Sequence, residues 1–323
     1  MKITIVAFEG CMTSAVYGQA DAFAMAAYIS GRRADASWSG HDVRIATPDG
    51  KPVQGYGGHR IEGHCALDEA RDSNVVLVPP IFNDIVQTLA REEGLVAWLS
   101  SFPPQSTLLA SACTGAFLLA EARLLDGRRI TTNAAFSALF EQRYPAVRLA
   151  LEQRLVDDGM VVCAGATTAH LDLAVHVIDR LAGHDLAVAT AKALSIDRNP
   201  ESQRPYFLFI APRDHGDDKV LRLQGWIETH HREPVGITDM TRLVGMSVRN
   251  LNRRFLLATG MPPRDYLRRV RIETAKRLLE APNAPIDRVA DEVGYGDPRA
   301  FIRAFGAVAG LSPGQYRRRF RQR

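Results

Sequence analysis

Over the first two hundred residues the apolar positions fall into two kinds of run, and the two kinds alternate. "KITIVAF" (2–8), "HDVRIATP" (41–48), "NVVLVPP" (74–80) and "STLLASA" (106–112) are short, and the last two are continuous enough for strands covered on both faces. Between them, "AVYGQADAFAMAAYI" (15–29) places its apolar residues at helical spacing. "VVCAGATTAHLDLAVHVIDRLAG" (161–183) passes from a strand into a long amphipathic helix that stops at Gly183. This alternation predicts an α/β domain, a parallel sheet sandwiched between helices. Ligands of such sheets bind beyond the carboxyl ends of the strands. "STLLASA" reaches that end at Cys113, and Thr114-Gly115 and a helical run follow. A cysteine at such a corner is where many enzymes keep a nucleophile.

The pattern breaks around residues 198–219, which hold three prolines, mixed charges and no steady period. The expected division is therefore a first domain over 1–197, a linker over 198–219 and a second domain over 220–323. "RPYFLF" (204–209) is expected to pack on the first domain, and "PRDHGDDK" (212–219) to serve as linker.

The second domain reads as all-α and carries one plan twice. "ITDMTRLVGMSVRNLNRRFLLATGMPP" and "IDRVADEVGYGDPRAFIRAFGAVAGLSP" each contain a short helix, a glycine turn, a capping residue, an arginine-bearing helix, and then Gly, Met or Leu, and proline. Each unit predicts a helix-turn-helix motif. In the first, Gly245 permits the turn, Ser247 caps, and Val248, Leu251 and Phe255 are expected to face the core. The opposite face carries Arg249, Asn252 and Arg253, side chains that suit the edges of guanine and adenine, while Arg254 on the flank suits a phosphate. In the second, Gly294 or Gly296 turns, Asp297 caps, Pro298 fits the first helical position, and Phe301 and Phe305 point inward. Arg299, Ile302 and Arg303 point outward, with Ile302 suited to a thymine methyl. "RDYLRRVRIETAKRLLEA" between the units is a long helix with Ile272, Ala275 and Leu279 along one side. It would hold the two readers at a fixed separation, as successive major grooves require.

Charge sharpens this division. Residues 1–210 carry 18 Lys and Arg against 23 Asp and Glu, whereas residues 211–323 carry 22 against 13. A basic last third on an acidic body points to a polyanion-binding module. The four cysteines, Cys11, Cys65, Cys113 and Cys163, form no C-x-x-C pair, so neither a metal site nor a cofactor is expected. No stretch is apolar enough for a transmembrane helix, and "MKITIVAFEG" reads as a first strand rather than a signal peptide, so a cytoplasmic location is expected.

Residues 220–323, through "RVRIETAKRLLE" and "IDRVADEVGYGDPRAFIRAFGAVAGLSPGQYR", resemble the DNA-binding domain of the AraC/XylS family of bacterial transcription regulators. The resemblance implies binding to double-stranded promoter DNA, usually as an activator working with RNA polymerase. It also implies a homodimer, and it puts the base-reading positions on Arg249, Asn252, Arg253, Arg299, Ile302 and Arg303. Residues 1–195, through "CTGAFLLAEARLLDGRRITT" and "AGATTAHLDLAVHVIDRLAG", resemble the PfpI-like branch of the class I glutamine amidotransferase-like superfamily. Enzymes of that superfamily use the elbow cysteine as nucleophile, with a histidine after the "GRRxTT" stretch. Here that position holds Asn133, Pro80 stands where a glycine N–H would help bind an oxyanion, and Glu9 is the only acid near the first loop. His59, His64 and His170 are the histidines that could reach the site.

Three readings of Cys113 stay open: a marker of a ligand pocket with Thr114 and Asn133, a small buried residue at a tight turn, and a redox-sensing thiol. Three functions stay open with them. The leading one is a regulator that answers a small-molecule effector bound by the first domain. The others are a cysteine-dependent hydrolase or hydratase fused to a DNA-binding domain, and an architectural DNA-binding protein with an inert first domain.

Overall fold

The computed structural model describes residues 1–32, 42–103, 105–196, 204–206, 209, 211, 213, 215–281 and 285–321. The chain folds into two compact units, Met1–Gln203 and Arg204–Arg323. His41 of the expected second strand and residues 198–203 of the expected linker lie outside the described residues.

The first unit has strands β1 (Lys2–Val6), β2 (Asp42–Thr47), β3 (Val53–Gln54), β4 (Arg60–Ile61), β5 (Cys65–Ala66), β6 (Val75–Val78), β7 (Leu108–Ala112), β8 (Arg129–Ile130), β9 (Arg148–Leu149), β10 (Leu155–Asp157) and β11 (Val161–Ala164). Its helices are α1 (Thr13–Ser30), α2 (Ile85–Arg91), α3 (Glu93–Ser100), α4 (Ala116–Glu121), α5 (Ser137–Arg143), α6 (His170–Ala182) and α7 (His184–Ala193). The main sheet runs β10-β11-β7-β6-β1-β2-β5 and is parallel except at its β10 edge. Every residue of β6, β7 and β11 is buried, which is why those runs read as uninterrupted apolar sequence. Helices α1, α6 and α7 pack on one another, as do α2, α3 and α4.

The chain leaves β1 for β2 on one side and returns to β6 on the other. Such a reversal is a topological switch point, where loops splay apart and leave room for a ligand. The register sets Val78 of β6 beside Ser111 of β7, and Ala112 beside Ala164 of β11. The loops after these strands therefore emerge together at the sheet's carboxyl edge, and Cys113 lies among them.

The second unit is helical in its described residues: α8 (Asp218–His230), α9 (Ile237–Val244), α10 (Val248–Thr259), α11 (Pro263–Glu280), α12 (Ile286–Glu292), α13 (Pro298–Ala309) and α14 (Pro313–Phe320). It has two cores, and the second repeats the first. Val220, Leu223 and Ile227 on α8 correspond to Ile272, Ala275 and Leu279 on α11. Leu251 and Phe255 on α10 correspond to Phe301 and Phe305 on α13. The polar contacts repeat as well: the Tyr266 hydroxyl donates to Glu228 at 2.7 Å, and the Tyr316 hydroxyl to Glu280 at 2.9 Å. Helix α11 belongs to both cores. Tyr266, Leu267 and Val270 close the first core, and from Ile272 onward the same helix opens the second. With 18 residues it spans about 27 Å.

The expected placement of "RPYFLF" is corrected. Phe207 and Leu208 lie outside the described residues, but Tyr206 packs edge-on against Phe320 and Phe209 against Tyr266, both in the second unit. An aromatic side chain settles where partners offer matching edges, and the helical unit supplies them here.

Candidate functional site

Cys113 sits at φ +54°, in the left-handed region that a non-glycine residue enters at a cost of about 1–3 kcal/mol. The corner is sharp because β7 ends against β6: a Cβ on Gly115 would lie 2.7 Å from the carbonyl oxygens of Val78 and Pro79. Glycine is thus the residue that lets the elbow close. The Thr132 hydroxyl donates to the Cys113 carbonyl at 2.8 Å, and the Thr114 hydroxyl to Ile81 O at 2.7 Å, so both sides of the turn are tied down.

The sulfur itself is surrounded by donors. Asn133 Nδ2 donates to Sγ at 3.2 Å, and its amide orientation is fixed because Oδ1 accepts the Ala135 N–H at 3.0 Å. Thr114 and Thr167 also place polar groups close enough to favour the thiolate. Burial pushes the thiol pKa up, and the pull of these donors in the opposite direction does not overcome it. Cys113 and Thr114 are almost completely buried, while Asn133 is half-buried and forms the side nearer to solvent.

A cysteine nucleophile needs a base within reach of its proton. Two of the three candidate histidines have other partners, and the third lies at the surface. His59 is exposed in the β3–β4 turn. His64 Nδ1 accepts the Ile45 N–H at 3.2 Å. His170 Nδ1 donates to Thr167 O at 3.1 Å, with its ring against Gly18 of α1. Glu9 faces the β3 hairpin, accepting the Gln54 N–H at 3.0 Å. Pro80, which has no N–H, offers its carbonyl to Met12 N at 3.0 Å. Among the described residues, the group hydrogen-bonded to the sulfur is the Asn133 amide, which has no site that takes a proton at neutral pH.

Of the three residues expected to line this site, the structure brings all together: Cys113, Thr114 and Asn133. Sequence reasoning missed Thr167 and Thr132. Thr167 follows β11, the strand beside β7, and its position at a neighbouring strand's carboxyl end is the signal that could have found it.

In the second unit, the helix-turn-helix chemistry is local and present twice. Gly245 (φ +61°) and Gly294 (φ +85°) make the turns, while Gly296 does not adopt positive φ. Ser247 accepts the Asn250 N–H at 3.3 Å, and Asp297 accepts the N–H groups of Arg299 and Ala300 at 3.0 and 3.1 Å. Arg249, Asn252 and Arg253 on α10, and Arg299, Ile302 and Arg303 on α13, are all exposed, as base-reading side chains must be.

One expectation fails, and another residue has a partner that the sequence did not suggest. Val248, expected in the core, is 47% exposed. It is the first residue of α10, and the buried stripe of that helix runs from Leu251 through Phe255 to Thr259, so the first turn projects beyond the core. Val248 instead lines a groove of about 650 Å³ together with Ile237, Asn252, Arg253, Leu256, Pro262 and Arg264. Arg254, expected at a phosphate, forms a bidentate pair with Asp217 at 2.9 and 2.8 Å, and Asp217 also caps α8. Burial raises the Asp217 pKa, but the Arg254 hydrogen bonds outweigh it and hold the carboxyl below its ordinary range. This arginine fastens α10 to α8 through its Nε and Nη2, which leaves Nη1 as the group that could face a phosphate.

Comparison with known proteins agrees with this geometry. The DJ-1/PfpI family model matches residues 1–180, and a helix-turn-helix domain model matches residues 240–319. The chain is 27% identical to the HTH-type transcriptional regulator CdhR of Pseudomonas aeruginosa over 84% of this chain and 80% of the relative. It is 25% identical to the HTH-type transcriptional regulator GbdR of the same organism over 82% of this chain and 71% of the relative. It is 30% identical to the HTH-type transcriptional regulator GlxA of Rhizobium meliloti over 64% of each. Among solved structures, a transcriptional regulator protein from Vibrio parahaemolyticus superposes with a TM-score of 0.53 at 18% identity, covering 60% of this chain and 98% of that one. Drosophila melanogaster DJ-1beta superposes with a TM-score of 0.51, also at 18% identity, covering 61% of this chain and 98% of that one. The parallel sheet with its cysteine elbow, followed by two capped and turned arginine-bearing helices, places this chain in the DJ-1/PfpI family, joined to a helix-turn-helix domain of the AraC type.

Proposed function

We propose that the protein is a sequence-specific DNA-binding transcription regulator whose DJ-1/PfpI domain binds a small-molecule effector. One observation carries the DNA half: two capped helices expose Arg249, Asn252 and Arg253, and Arg299, Ile302 and Arg303, on either side of a shared helix. The similarity to named transcriptional regulators over most of the chain supports it. The effector half rests on the loops gathered at the switch point, where the half-buried Asn133 covers the buried Cys113 and Thr114 and offers them a route to solvent through its own movement. Homodimerisation, promoter activation with RNA polymerase and a cytoplasmic location belong to the same reading. So does the absence of catalysis: a thiol raised by burial and lacking a base is a poor nucleophile.

The test is fluorescence anisotropy of the full chain on DNA from upstream of its own gene. Specific affinity should fall steeply with salt, because each arginine on a phosphate displaces a condensed counterion. Affinity that ignores both salt and sequence would overturn the DNA reading. A thermal-shift screen of small metabolites on wild type and Asn133→Ala tests the effector site: a ligand that stabilises the first but not the second supports it, whereas equal stabilisation places the effector elsewhere.

A further inference from the structure

We propose that Arg271 is the positioning residue that sets the spacing and helical phase between the two reading helices. This rests on the reading of α10 and α13 as DNA-binding elements. The two cores of the second unit are separate, and α11 is the helix they share. Val270 belongs to the first core and Ile272 to the second, so Arg271 stands at the junction between them. A helix alone is a compliant connection, since helices bend and the packed units at either end can tilt about it.

The guanidinium of Arg271 braces that junction. Its Nε donates to His231 O and its Nη2 to Glu233 O, both at 2.7 Å. The His231 carbonyl lies at the carboxyl end of α8, where the helix leaves acceptors unsatisfied and a cation is favoured, and the Glu233 carbonyl, which also accepts the Val235 N–H, lies just beyond. The guanidinium also lies 5.4 Å from the ring centre of Tyr295, in the turn of the second motif. Beside Tyr295, a Cβ on Gly294 would fall 2.7 Å from Arg232 O and 2.9 Å from His231 O. The end of α8, in the first core, and the turn that aims α13, in the second, therefore touch through backbone. Arg271 bonds to one and stacks on the other. Lysine could supply the charge but neither the fork nor the plane.

The consequence is a fixed register on DNA. Half-sites lie about one helical turn apart, so one inserted base pair rotates the second half-site by roughly a tenth of a turn and moves it by about 3.4 Å. A braced protein cannot follow; an unbraced one can.

The experiment uses the full-length protein on its specific DNA site and on derivatives with one, two or three base pairs inserted between the half-sites. Wild type should lose at least tenfold in affinity at two inserted pairs. Arg271→Ala should bind the native site about five- to twentyfold more weakly, and its loss on insertion should shrink to twofold or less, with Arg271→Lys in between. Tyr295→Leu, which removes the stack and leaves both backbone hydrogen bonds, should relax the spacing preference in the same direction if Arg271→Ala proves too unstable to measure. Arg253→Ala should weaken binding at every spacing alike, which isolates the DNA reading itself. An Arg271→Ala protein that binds more weakly yet keeps the wild-type spacing penalty would overturn the proposal, and so would a wild type indifferent to spacing. Absence of specific binding by wild type would instead strike the reading beneath it.

Discussion

Cys113 and Gly245 both hold a positive φ, +54° and +61°, and answer it with opposite chemistry. At the turn of the first helix-turn-helix motif nothing lies within 4 Å of where a Cβ would be, so glycine is there for conformation alone. At the elbow a side chain is kept despite the strain, and four elements converge on it: β7 itself, the loop after β6, Asn133 after β8 and Thr167 after β11. The contrast teaches where each half of the chain keeps its function. In the helical unit the turn only aims a helix, and the working side chains lie exposed along that helix. In the sheet unit, on the proposed reading, the turn is the working part, and the strain marks it.

The largest expected effect comes from a glycine that combines both situations. Gly294→Ala puts a methyl against backbone oxygen at 2.7 Å and strains a residue at φ +85°. It should destabilise the second unit by about 3 kcal/mol, overpacking and left-handed strain together. Gly245→Ala incurs only the strain, about 1 kcal/mol. Urea denaturation followed by circular dichroism measures both, and equal losses would show that the backbone contact at Gly294 has slack.

A second comparison sets neighbours on α10 against each other. Arg253→Ala should cost about 1–3 kcal/mol of specific DNA affinity and leave the melting temperature near wild type. Arg254→Ala should do the reverse, lowering stability by about 1 kcal/mol through loss of the Asp217 pair while DNA affinity stays within twofold. An affinity loss at Arg254 to match that at Arg253 would return it to the DNA surface.

At the elbow, Cys113→Ala and Cys113→Gly both lose the sulfur's hydrogen bonds, but only alanine keeps the left-handed penalty. The glycine variant should be the more stable of the two by about 1 kcal/mol, and neither should alter DNA binding in the absence of an effector. The opposite order would mean that the corner relaxes once the sulfur is gone.

The smallest effect is on pH. Burial lowers the His170 pKa below 6.5, more than the Thr167 carbonyl and Asp172 raise it. A depressed folded-state value means that the unfolded chain binds the proton more readily. His170 therefore contributes stability that is present above pH 6.5 and is lost as pH falls through its folded value. The melting temperature of the first unit should decline between pH 7 and 5.5, and His170→Asn should flatten that decline; an unchanged slope would assign it to other groups.

What the sequence determined by itself was everything written in short-range chemistry. Continuous apolar runs require strands buried on both faces, a capping Ser247 or Asp297 followed by a 3.6-residue stripe requires a helix, and a glycine after a short helix allows its turn. Those rules placed the sheet, the elbow, both motifs and their exposed arginines. Tertiary structure alone decided what depends on which elements meet. It exposed Val248, because the first turn of α10 outruns its core. It gave Arg254 to Asp217, thirty-seven residues away. It brought Thr167 near the Cys113 sulfur, because β11 lies beside β7, and it put Arg271 between two motifs whose periodicity never mentions it. Hydrogen bonds and van der Waals contacts act over a few ångströms of space, and the chain folds back before most of those distances exist.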